Sequence, residues 1–144
     1  MNSPLDRLLG YHLRRAQVRA FSAFARHLSG TGLTPMLYGV LATIEASGGI
    51  GQGEIADALG ADRSTMVRLV DQLERRDLVR RRTHPDDRRT VVPTLTEAGR
   101  DLLERATPLV HESERGYAGT LTEPERDELI ATLRRLGVAT APPG

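Results

Sequence analysis

Apolar residues recur at three- and four-residue steps through most of this 144-residue chain, and only two short stretches depart from that spacing. Such a repeat lines apolar side chains along one stripe of a helix, whereas a half-buried strand needs strict alternation. The pattern therefore predicts a mainly α fold with a small β element, and too few strands for any parallel sheet. Aromatics are only 3% of the chain, so Leu, Val, Ile and Ala must build the core. The length suits a single domain, residues 1–144.

The first stripe is Leu5, Leu9, Leu13, Ala16, Ala20, Phe24 and Leu28. It predicts one long helix over 5–28, stopped by Gly30-Thr31-Gly32. Thr34-Pro35 opens a second helix, with Thr as N-cap, Pro at the first helical position and Leu33 placed to staple onto Tyr38. Leu37, Val40, Leu41 and Ile44 face inward, and Ser47-Gly48-Gly49 ends the helix. A short third helix, about 52–59, carries Ile55, Ala56 and Leu59 and closes at Gly60. Asp62 caps a fourth, running to about residue 76, with Met66, Val67, Val70 and Leu73 inward. Residues 78–82 and 90–94 are the two strand candidates around a polar tip at 83–89, and Pro93 should keep the second at an edge. Thr96 caps a fifth helix bearing Leu102, Leu103, Ala106, Leu109 and Val110, with a bend expected near Pro108. Thr122-x-x-Glu125 is a capping box for a sixth, with Leu129, Ile130, Leu133 and Leu136. Residues 138–144 read as a frayed tail.

Gly51-x-Gly53-x-x-Ala56 has the spelling of a dinucleotide-binding turn, but that turn must follow a buried strand and open a long helix. Here a helical segment precedes it, and the next helix lasts two turns. The glycines fit instead a tight entry into two short helices joined at Gly60-Ala61, the spacing of a helix-turn-helix. No nucleotide cofactor is expected. The exposed first turns of the fourth helix carry Arg63, Ser64, Thr65 and Arg68. Arg can bind a guanine edge bidentately, Ser and Thr can contact bases or phosphates, and a helix N-terminus favours phosphate. Ser64 and Thr65 also suit a merely capping role. Arg80, Arg81 and Arg82 lead into His84-Pro85-Asp86-Asp87-Arg88-Arg89, an Arg-rich hairpin able to enter a narrow minor groove. Asp87 is placed to hold the Arg89 guanidinium in a fixed pose.

Charge follows the same division. Residues 63–89 carry nine Arg against five acids, whereas residues 97–128 carry four Arg against nine acids. A basic middle and an acidic end suit a molecule with one face toward a polyanion. All twenty basic residues are Arg.

Leu33-Thr34-Pro35, Glu54-Ile55-Ala56, Asp62-Arg63-Ser64-Thr65 and the run from Leu73 to Val79 resemble MarR-type regulators. So does the spacing D-x-R-x(5)-L-T-x-x-G, from Asp87 to Gly99, and the likeness spans about residues 5–137. Asp77 departs from the family's usual Gly, at a turn where Asp tolerates left-handed geometry. The resemblance implies a winged helix-turn-helix of six helices. Its DNA-binding lobe would span 33–95, and helices 5–28 and 96–137 would form a homodimer interface. It implies double-stranded DNA as partner, read by Arg63, Ser64, Thr65 and Arg68 in the major groove. Arg82, Arg88 and Arg89 would be on the wing with Asp87, Arg89 entering the minor groove. It further implies an aromatic or phenolic effector, for which Tyr11, His12, Arg15 and Tyr38 are candidates, although each also suits a partly buried interface position. A protein-binding winged helix without DNA is the alternative.

Other classes find no support. There is no Cys, hence no disulfide, thiolate metal site or thiol switch. His12, His27, His84 and His111 lack metal-ligand spacing, and no G-x-S-x-G elbow is present. No catalytic or metal residue is expected. Without a membrane-length apolar run or a signal-peptide pattern, a cytoplasmic location is expected.

Overall fold

The computed structural model describes residues 3–137, so the expected tail at 138–144 lies outside the described residues. The elements are α1 (Leu9–Leu28), α2 (Pro35–Ser47), α3 (Gln52–Leu59), α4 (Arg63–Arg75), β1 (Val79–His84), β2 (Asp87–Leu95), α5 (Glu97–Tyr117) and α6 (Glu123–Gly137). Six helices and one antiparallel hairpin make up the expected winged helix-turn-helix, and no parallel sheet is formed among the described residues.

The first helix is shorter than its apolar stripe suggests. Ser3 caps a separate 3-10 turn over Pro4–Arg7, and Leu8 is extended before α1 begins. Ser3 Oγ accepts from Leu5 N, and the Asp6 carboxylate accepts from Ser3 N. The local capping box thus out-competes continuation of the helix. Nor is the stripe all interior: Leu5 and Leu9 are exposed within the chain, whereas Leu28 is buried and Phe24 packs against the core.

The expected caps form. Thr34 accepts from Leu37 N, Asp62 from Thr65 N and Thr96 from Gly99 N, and Gly48 and Gly60 take left-handed conformations where α2 and α3 end. Asp77 adopts φ 57°, the left-handed turn the sequence requires there. Helix α5 runs unbroken through Pro108.

Two departures bear on the site. Val67 was expected inward, but it is 43% exposed, and Leu69 is buried in its place. At 100° per residue Met66, Leu69, Val70 and Leu73 share an arc, whereas Val67 lies well to one side of it. The strands are also longer than expected, leaving only Pro85-Asp86 as a two-residue tip, with a register irregularity at Thr83/His84. In a two-stranded hairpin both strands are edges, so Pro93 is accommodated opposite Arg81.

One core gathers Leu37, Val40, Leu41 and Ile44 of α2 with Ile55, Met66, Val70, Leu73, Val79, Leu102 and Leu103. The wing is tied to it at its base. Thr96 Oγ1 donates to Asp77 O at 2.6 Å, Thr96 N donates to Leu78 O at 3.1 Å, and a Cβ on Gly99 would collide with that Leu78 carbonyl. The L-T-x-x-G spacing is therefore a clasp between hairpin and α5. Helix α6 buries nothing: Leu129, Leu133 and Leu136 are exposed, as are Leu9, Val18 and Phe21 of α1. The terminal helices thus present apolar faces that the other described residues leave uncovered, a surface suited to dimerisation.

Candidate nucleic-acid interface

Helices α3 and α4 meet across Gly60-Ala61, and the hairpin stands beside α4, leaving a cleft of about 660 Å³ between them. Arg63 of α4 and Asp87 and Arg89 of the wing line it together with Val67, His84 and Thr90. The glycines whose spelling suggested a nucleotide cofactor form its floor. A Cβ on Gly51 would come within 2.8 Å of Thr90 Cγ2, and one on Gly53 within 3.1 Å of an Arg63 guanidinium nitrogen. Their bareness brings the wing and Arg63 close to α3.

The first turn of α4 is organised by Asp62. Its carboxylate accepts from Thr65 N at 2.7 Å and from Ser64 Oγ at 2.8 Å. These bonds, the Thr65 amide first, lower its pKa to about 2, with a smaller contribution from Arg68. Ser64 and the Thr65 amide thus serve the cap in the free protein, whereas Arg63 and Arg68 are exposed and among the described residues enter no ion pair.

Asp87 does not brace the Arg89 guanidinium. Its Oδ1 accepts from the Arg89 amide and its Oδ2 from Thr90 Oγ1, both at 3.0 Å. These bonds hold its carboxyl below the usual range, the Arg89 amide contributing most. The acid fixes the backbone at the turn, and an adjacent amide is a shorter reach than a long guanidinium arm. Arg82, Arg88 and Arg89 remain exposed.

Arg81 is not among the contacts that the sequence predicts, and the structure gives it the densest set of side-chain bonds beside the cleft. Its guanidinium lies 2.7 Å from Asp71 and 3.2 Å from Glu74, donates to Val67 O, and its Nε donates to Gln52 Oε1. One side chain thus joins β1 to both α3 and α4. Strand alternation puts Arg81 on the face of buried Val79 and Arg80 and Arg82 on the other, but the partners it meets there depend on where α3 and α4 pack.

The four effector candidates are not brought together. The Arg15 guanidinium sits 5.6 Å from the Tyr11 ring centre, and His12 Nε2 donates to Asp6 O. His12 and Arg15 line a groove of about 830 Å³ between α1, α5 and α6, with Tyr117 and Leu133. Tyr38 lies elsewhere, edge-on to Phe24, with its hydroxyl 3.1 Å from Thr107 Oγ1. Since Thr107 donates to Leu103 O, Tyr38 is the donor in that pair. Among the described residues no His/Asp/Glu cluster suits a metal, and no helix is long and apolar enough to cross a membrane.

Comparison with known proteins agrees with this geometry. The MarR family profile matches residues 33–91. A putative transcriptional regulatory protein for the hcr operon of Thauera aromatica is 41% identical over 129 residues, covering 89% of this chain and 78% of that protein. The transcriptional repressor CouR bound to a 23-mer DNA duplex is 39% identical, with TM-score 0.84 over 92% of this chain and 94% of that one. CouR from Rhodococcus jostii RHA1 bound to p-coumaroyl-CoA is 30% identical, with TM-score 0.87 over 97% and 99%. Fold, clasp, cleft and relatives converge: the chain belongs to the MarR family and is a winged helix-turn-helix, DNA-binding transcriptional regulator.

Proposed function

We propose that the protein is a cytoplasmic, ligand-responsive repressor that binds a pseudo-palindromic operator as a homodimer, without catalysing a reaction. The observation that carries this reading is the cleft in which Arg63 of α4 and Arg89 of the wing face one space, with Arg68, Arg82 and Arg88 exposed beside it. Arg63 and Arg68, with Ser64 and Thr65 once released from capping, read the major groove. Arg89 enters the minor groove, Arg82 and Arg88 meet phosphates, and Asp87 sets the turn that presents them. A two-fold axis through the α1 and α6 faces repeats the set at a second half-site, about one helical turn away.

The effector is an aromatic or phenolic compound, the chemistry of the p-coumaroyl-CoA held by CouR. It enters on the α1 side, where His12 and Arg15 line the groove and Tyr11 steadies Arg15. Tyr38, already committed to Thr107, supports α2 against α5.

Gel-shift titration of Arg89→Ala against the protein's own promoter region, at several salt concentrations, tests the interface. The expected loss is about 1–3 kcal/mol for a base contact. Unchanged affinity would remove Arg89 from the interface. Wild-type affinity that ignored salt would favour the protein-binding alternative, because DNA binding releases counterions.

A further inference from the structure

Two aliphatic side chains stand exposed in the cleft between α4 and the wing, among arginines and carboxylates. Val67 lines it from α4 and Val91 from β2, beside Arg63, Asp87 and Arg89. A lone exposed valine on a protein surface needs no explanation. Val67 differs because of where it stands and how it is held.

With Arg63 as origin, a turn of 100° per residue puts Val67 about 40° round α4 and Ser64 about 100° round it. The buried arc of Leu69, Leu73, Met66 and Val70 runs from about 240° to 340°. Val67 therefore stands one turn along from the gap between Arg63 and Ser64, two of the residues that α4 offers to the major groove. Its backbone is fixed from the wing. Arg81 donates to Val67 O at 3.2 Å, and the same guanidinium lies 2.7 Å from Asp71. A β-branched side chain on a helix keeps essentially one χ1 rotamer, so the Val67 methyls have little freedom left to lose on contact.

Phosphates and hydrogen-bonding base edges offer such a group nothing. On the floor of the major groove thymine alone among the four bases adds an apolar surface, its C5 methyl, and apolar side chains pack on it. We propose that Val67 is a specificity-determining residue that packs on a thymine C5 methyl in each half-site, next to the base edges that Arg63 and Ser64 reach. The inference rests on the seating of α4 in the major groove. It adds to the hydrogen bonds made there a discrimination by apolar contact.

Fluorescence anisotropy of the full chain with its own promoter region tests it. The duplex is prepared once with thymidine and once with deoxyuridine, which lacks only that methyl. Wild type should bind the thymidine duplex at least about fourfold more tightly for each half-site, the effect of burying one methyl-sized group. Val67→Ala should cut that preference by about fourfold for each half-site. Val91→Ala, equally exposed but on the wing, should leave it unchanged. Deoxyuridine placed at single positions should confine the Val67-dependent loss to a symmetry-related pair of thymines. The preference compares two duplexes on one protein preparation, so it is independent of how much of a variant is folded. Equal binding of the two duplexes by wild type overturns the inference while leaving α4 in the groove. So does a preference that survives Val67→Ala, or one that Val91→Ala reduces as much. If wild type binds the thymidine duplex no better than unrelated DNA, the seating of α4 is overturned, and the Val67 contact with it.

Discussion

Arg81 sits between two arginines that share its charge but not its work. Its bonds to Asp71, Glu74, Gln52 and Val67 O tie β1 to α3 and α4 and so hold the wing against α4. Arg81→Met should lower stability by about 1–2 kcal/mol, less than a fully buried network would lose because its partners are partly exposed. Urea denaturation measures that loss. Gel shifts should show weaker DNA binding with the slope of log K against log salt unchanged, since no phosphate contact is removed. Asp62 offers a pH test. Its pKa, lowered to about 2 in the fold against an unperturbed 3.8, means the cap stabilises fully above about pH 4 and is lost as pH falls through 2. The urea midpoint of wild type should therefore converge on that of Asp62→Ala between pH 4 and pH 2. A gap that stays constant would separate the cap from the charge. Asp62 was legible as a cap because capping is local. That Arg81 would leave its run for the interior depended on where α3 and α4 come to lie.

Among the elements, the wing and α5 depend on one another. A Cβ at Gly99 has no room against the Leu78 carbonyl, and backbone there cannot yield as a side chain can. Gly99→Ala should cost about 1–3 kcal/mol, seen as a lower Tm by differential scanning calorimetry. At Gly51 the obstacle is only the Thr90 methyl, which can move with the wing. Gly51→Ala should accordingly lose DNA affinity more than it loses stability. The elements themselves were largely readable, since their caps, glycines and apolar stripes are short-range signals. Helix α1 starts later than its apolar stripe, because the Ser3–Asp6 capping box interrupts a periodicity that Leu5 continues. The strands run further than the sequence predicts because nothing in the polar stretch of residues 83–89 announces that pairing continues to His84 and Asp87.

For the whole molecule, the exposed leucines of α6 and the apolar surface of α1 are suited to cover one another across a second copy. Leu133→Glu should shift the protein from dimer to monomer in sedimentation velocity. Affinity for a two-half-site operator should collapse, while weak binding to non-specific DNA persists. A variant that stayed dimeric would move the interface away from α6. Residues 97–128 carry the excess of acids and residues 63–89 the excess of arginines, so positive charge is concentrated in α4 and the wing.

The sequence alone determined the kinds and order of the elements, the helix-turn-helix with its arginines, and the clasp spacing from Asp87 to Gly99. All of these are set by neighbours within a few residues, through helical period, capping and left-handed turns. Only the tertiary structure decided that Val67 lies outside, that Arg81 belongs to an ion-pair network, that Asp87 holds backbone rather than a guanidinium, and that Tyr38 is tied to Thr107. Each of these depends on the distance between segments far apart in the chain, which packing sets and no local spacing records.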